Sequence, residues 1–111
     1  MIFSWNRANV EHIGKHGVTP TEAEDVVRGA RPPWPLRRED GKHLVWGRTD
    51  AGRYLQVIFI FPPDDEVALE SLTPDDLIDW ADGTATVIHV IHARDLEDDE
   101  KKQYRKRSRK R

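Results

Sequence analysis

The chain has 111 residues, 37% hydrophobic and 34% charged, which suffices for one modest core and not for two. It contains no cysteine, so a disulfide framework, a thiolate nucleophile and a cysteine metal site are all excluded. Its net charge of −2 hides a segregation, with +2 over residues 1–61, −12 over 62–100 and +8 over 101–111; such blocks fit a polyelectrolyte partner, internal masking or simply solvated faces.

Ile2, Phe3, Ser4 and Trp5 read as a short opening strand, followed by Asn6 as the N-cap of a helix that runs to about His16. Val10 and Ile13 are its expected buried pair. His12 and His16 stand four apart and share a face with Asn9, while Gly17 supplies the left-handed residue that ends such a helix. Thr19, Pro20, Thr21 and Glu22 form a cap, a first-turn proline and a capping-box glutamate. The second helix then buries Ala23, Val26, Val27 and Ala30, and it stops near Gly29, before Pro32, Pro33, Trp34 and Pro35.

Residues 44–48 and 54–61 read as a hairpin across the turn-forming Thr49, Asp50, Ala51 and Gly52, with Arg48 and Arg53 at its loop end. The run YLQVIFIF predicts a central strand covered on both faces. An acidic insertion over 62–85 holds a short helix capped by Thr73, with Leu77, Trp80 and Ala81 as its apolar face and Gly83 as its stop. It is expected either to be solvated or to fold over the cationic groups and compete with nucleic acid.

The sheet resumes over 86–93, where His89 and His92 differ by an odd number and are expected on opposite faces, His92 on that of Arg94. Asp95 is expected to cap a last helix, with Glu97–Lys101 and Asp98–Lys102 pairs. That helix frays after Tyr104, leaving a disordered basic tail over 108–111. The sum is one α+β domain over 1–107, with an antiparallel sheet, two N-terminal helices and a C-terminal helix.

Three groups of side chains carry chemistry. His12 and His16 have the HxxxH spacing of a zinc site, but no cysteine and no HExxH glutamate completes one, so no metal and no cofactor is expected. The alternatives for this pair are proton transfer, or a polar contact and a cation on the helix dipole. Lys15, Arg48, Arg53 and Arg94 fall at element ends, where loops converge on one rim of a sheet. Arg94 follows an apolar run and so needs a partner, with Asp95 or Glu97 the nearest. The bases of 101–111, Lys101 and Arg105 among them, would bind a phosphate backbone by counterion release, unless they are only a solubilising tail. A ribonuclease without a metal needs proton transfer at the 2′- and 5′-oxygens and cations around the phosphorane, and this chain holds those parts. Tyr104 would add a stacking face or a phosphate contact.

These residues resemble the BrnT family, the toxin halves of bacterial type II toxin–antitoxin pairs. Phe3-Ser4-Trp5 is similar to the family's opening F-x-W, and Lys15-His16-Gly17-Val18 to its KHGV motif, with Asn9 to Ile13 matching the helix before it and Glu22-Ala23 the E-E-A after it. Gly47-Arg48-Thr49-Asp50 and Gly52-Arg53-Tyr54-Leu55 are similar to its strand-turn-strand, His92-Ala93-Arg94 to its S-A-R ending, and Tyr104 to a tyrosine of its terminal helix. The chain departs from the family at Asn6, Lys42-His43 and His92, and its insertion has no counterpart there. The resemblance implies a RelE-like fold and a ribonuclease that blocks translation. It also implies a ribbon-helix-helix antitoxin, with a homodimer or a hetero-tetramer as the assembly. Lys15, His16, Arg48, Arg94 and Tyr104 would be catalytic, and Arg53, beside His12, Lys101 and Arg105, would bind RNA. The N-terminus lacks the apolar segment of a signal peptide and no apolar run reaches membrane-spanning length, so the cytoplasm is the expected compartment. The competing reading is a non-catalytic module that keeps the toxin's shape and binds an antitoxin or nucleic acid.

Overall fold

A computed structural model describes residues 1–109. The fold is α+β: a five-stranded mixed sheet in the order β1-β5-β4-β3-β2, with four helices. Strand β1 is Ile2–Phe3, β2 Leu36–Arg37, β3 His43–Arg48, β4 Tyr54–Ile60 and β5 Val87–Asp95. The helices are α1 (Arg7–Gly14), α2 (Pro20–Arg28), α3 (Pro74–Ala81) and α4 (Asp98–Arg109). The pairs β3–β4 and β4–β5 are antiparallel as expected, a short β2 adds antiparallel to β3, and β1 runs parallel to β5, Ile2 opposite Val87. Strand β2 is concealed in the sequence, because two residues between Pro35 and the charged run Arg38-Glu39-Asp40 carry no strand pattern.

Helix starts follow their caps. The side chains of Asn6, Thr19 and Thr73 each accept a bond from the backbone N–H three residues on, and the residue there reaches back in every case. Helix α1 ends in a Schellman motif: Gly17 N–H donates to Gly14 O and Val18 N–H to Ile13 O, with Gly17 at φ 70°. Val18 and Ile13 then meet in the core. That core joins Ile13, Ala23, Val26 and Val27 of the helices to Val45, Leu55, Val57, Phe59, Val90 and Ala93 of the sheet. Burying each large aliphatic side chain contributes about 1.5–3 kcal/mol.

Several expectations change. In α1 the buried pair is Asn9 and Ile13, and Val10 is exposed, because the helix lies along β5, where Asn9 Nδ2 donates to Ser4 O at 3.1 Å and Val90 O at 3.2 Å. Strand β5 contains a bulge that puts His92 opposite Ile58 but Val90 opposite Phe59. The extra residue, Ile91, cancels the odd spacing, so His89 and His92 pair with Ile60 and Ile58 and both turn to α1. Asp95 ends β5 and caps nothing. Helix α4 begins three residues later, its start bonded through Glu97 N–H to Glu100 Oε1 at 2.8 Å, and Lys101 approaches Asp98 at 3.8 Å where Glu97 was expected. The helix continues through Arg109, held by Tyr104 against Trp34 and by Arg107 over Trp46; residues 110 and 111 of the anticipated tail lie outside the described residues.

The insertion is neither loose nor laid over the cations. Its Val67, Leu72, Leu77 and Trp80 close a second small core with Ile2 and Val87, and Ala68 N–H donates to Ser4 Oγ at 2.8 Å. No helix is long and apolar enough to cross a membrane among the described residues.

Candidate functional site

The hairpin β3–β4 builds the site. Arg48 closes β3 and stands directly across from Tyr54, which opens β4. The turn between them is tied by Gly52 N–H to Thr49 O at 2.9 Å and by Arg53 N–H to Thr49 Oγ1 at 3.0 Å. Gly52 sits at φ 93°, and a Cβ there would come within 3.2 Å of the Arg48 guanidinium. Arg48 therefore lies flat over the turn, its Cζ 5.8 Å from the Tyr54 ring centre.

From the other side α4 brings Tyr104 edge-on to Tyr54 at 5.9 Å and Arg105 to 5.3 Å from the same ring. Arg105 pulls the Tyr54 phenol below its ordinary pKa, against the opposing effect of burial, and the charges of Arg48 and Lys101 act in the same direction. Around this pair opens a cleft of about 540 Å³ lined by Asp25, Gly29, Arg31, Arg48, Asp50, Tyr54, Tyr104, Arg105 and Ser108. Arg31, Arg48 and Arg105 have no carboxylate within ion-pair distance among the described residues. Unmatched guanidinium charge beside two aromatic faces can hold a phosphate and stack a base. The carboxylates Asp25 and Asp50 line it, and Tyr54 can accept a proton as its phenolate; no histidine lines it.

Of the residues read from the sequence, Arg48, Tyr104 and Arg105 meet here, with Lys101 in electrostatic reach. Tyr54 and Arg31 were missed. Tyr54 is the cross-strand neighbour of Arg48, but in the sequence it reads as the head of an apolar strand.

The remaining candidates lie elsewhere. Arg53 directs all five N–H groups to protein acceptors: Asp95 at 2.7 and 2.9 Å, Glu22 at 3.1 Å, Gly17 O at 2.7 Å and His16 O at 3.3 Å. It joins the turn after α1, helix α2 and the end of β5. Arg53 holds the Asp95 carboxyl below its usual range, and its own pKa is raised, chiefly by Asp95. Arg94 grips Glu100 through two bonds of 2.7 and 2.9 Å and touches Gln56, which accepts from Trp46 Nε1. Its partner is thus neither Asp95 nor Glu97 as a side chain, and Glu100 is held down to about 2. Lys15 is exposed at the end of α1.

His12 and His16 form a separate cluster with His92, whose ring centre lies 5.9 Å and 5.2 Å from theirs. Burial, then His16, His12 and Arg94, push the His92 pKa below its ordinary value. The pair thus gains a third imidazole, yet no three such side chains are arranged to hold a metal ion among the described residues. No protein-family model, curated protein or solved structure matches this chain.

Proposed function

We propose that the protein is a toxin-type endoribonuclease that works without a metal, cleaves RNA held in the Tyr54–Tyr104 cleft and thereby inhibits translation. The observation that carries this reading is a pair of guanidiniums, Arg48 and Arg105, that have no ion-pair partner among the described residues and stand on either side of a tyrosine whose phenol they acidify. Tyr54, in its phenolate form, accepts the 2′-hydroxyl proton, and Arg48 and Arg105 meet the charge on the phosphorane. The leaving 5′-oxygen is protonated by water at the open mouth, and Tyr104 stacks a base. The BrnT-like landmarks support the same reading. They bring with it a RelE-like fold, a cytoplasmic setting and neutralisation by a ribbon-helix-helix antitoxin, in a homodimer or a hetero-tetramer.

Arg48→Ala and Arg105→Ala should each lower cleavage of a single-stranded RNA by at least ~10²-fold with chelator present, and relieve growth arrest on expression. Both variants as active as the parent, at unchanged thermal stability, would refute the site. The second reading, a non-catalytic module that binds RNA or an antitoxin, is favoured by one observation: Lys15, His16 and Arg94 do not line the cleft. Purified protein that binds RNA with a steep salt dependence yet leaves it intact would decide for that reading.

A further inference from the structure

The cluster of His12, His16 and His92 shares no residue with the cleft. We infer that these three imidazoles form a proton-coupled binding site for a phosphate oxyanion. His12 on α1 and His16 in the turn that follows it both approach one ring, because the bulge at Ile91 turns His92 on β5 to meet them.

The charges around the cluster are one-sided. From α1, His92 faces His12 and His16; from its own strand, Arg94; across on β4 stands the apolar Ile58. The nearby acids are engaged elsewhere: Glu11 with Arg7 at 2.9 Å, Asp95 with Arg53 at 2.7 Å and Glu100 with Arg94 at 2.7 Å. An imidazole that takes up a proton here finds only positive neighbours. An oxyanion is the ligand that reverses this, since it accepts from several imidazolium N–H groups at once.

The end of a helix would ordinarily repel an anion, but most carbonyls at the end of α1 and in the turn after it already accept a bond. Ile13 O and Gly14 O accept from Val18 and Gly17, and His16 O and Gly17 O accept from Arg53. Phosphate suits the cluster better than a carboxylate, because its non-bridging oxygens, two in a diester and more in the free ion, can be shared among several imidazolium donors at once. Since each anion brings a proton with it, binding should tighten by up to about tenfold per pH unit between roughly 7.5 and 6.

The test is NMR of the imidazole carbon-bound protons in the full chain, titrated with inorganic phosphate and, in parallel, with a short oligouridylate. All three rings should shift together, with titration midpoints raised and affinity at least ~5-fold greater at pH 6.0 than at pH 7.5. A response to inorganic phosphate alone assigns a free phosphate; a response to both assigns the RNA backbone. Exposed His12→Gln should abolish the concerted shift of His16 and His92 without unfolding the protein, and His92→Gln should likewise abolish that of His12 and His16. Arg48→Ala, which disables the cleft, should leave the response intact. Rings unmoved by both probes, a response unaltered in His12→Gln, or an affinity flat with pH would each overturn the proposal.

Discussion

Arg48 and Arg53 sit five residues apart on one hairpin, yet only Arg48 is left for a ligand. The difference lies in what each can reach: Arg48 folds over Gly52 toward Tyr54, whereas Arg53 meets Glu22, Asp95 and two carbonyls. Nothing local in the sequence separates the two, because Glu22 and Asp95 lie 31 and 42 residues away along the chain. Arg94 is similar, its true partner Glu100 lying one helical turn beyond the acids nearest to it. This pair should be felt in acid. Glu100 ionises at about 2 in the folded protein against an ordinary 4.5, so its contribution is complete above about pH 4.5 and is lost as pH falls toward 2. Glu100→Gln should therefore cost about 1–2 kcal/mol at pH 7, after allowance for partial exposure, and nearly nothing at pH 2. Denaturant melts at the two pH values would check it. His92 acts in the same sense at higher pH. Its folded pKa lies below the ordinary 6.5, so the unfolded chain takes up that proton first and stability declines as pH drops below about 6.5.

At the scale of elements, the legible parts were those written in adjacent residues. Asn6, Thr19 and Thr73 marked three helix starts, and Gly17 marked a stop that the structure uses with φ 70°. Gly17→Ala should lower stability by about 1–2 kcal/mol through backbone strain alone, as the space for a Cβ is adequate, its nearest atom being Arg53 Nη2 at 3.8 Å. Thermal unfolding with Gly14→Ala as control, at a position with nothing within 4 Å, would separate strain from packing. What the sequence hid was pairing between distant segments. Parity along β5 assumed an unbroken ladder, and one extra residue reversed its conclusion about His89 and His92. Strand β1 has only two residues and no pattern to declare a direction, so its parallel union with β5 could not be read.

Across the whole molecule, the charge blocks of the sequence correspond to different structural jobs. The acidic insertion completes a second core beneath β1 and the start of β5, while the basic α4 leans on Trp34 and Tyr54 and forms one wall of the cleft. None of residues 62–85 lines that cleft. Deleting the segment should therefore not expose the RNA surface but uncover Ile2 and Val87, with loss of cooperative unfolding or aggregation. A deletion variant that melts as the parent does, yet binds RNA more tightly, would restore the masking idea. The α+β class was legible because strand and helix patterns alternate along the chain; the two-centre layout was not, because loop-end cations look alike until their partners are placed. The bulge at Ile91 carries a consequence of arithmetic. Removing that one codon would leave the imidazoles of His89 and His92 an even step apart, still opposite Ile60 and Ile58, so the cluster would outlive the bulge that the native spacing requires.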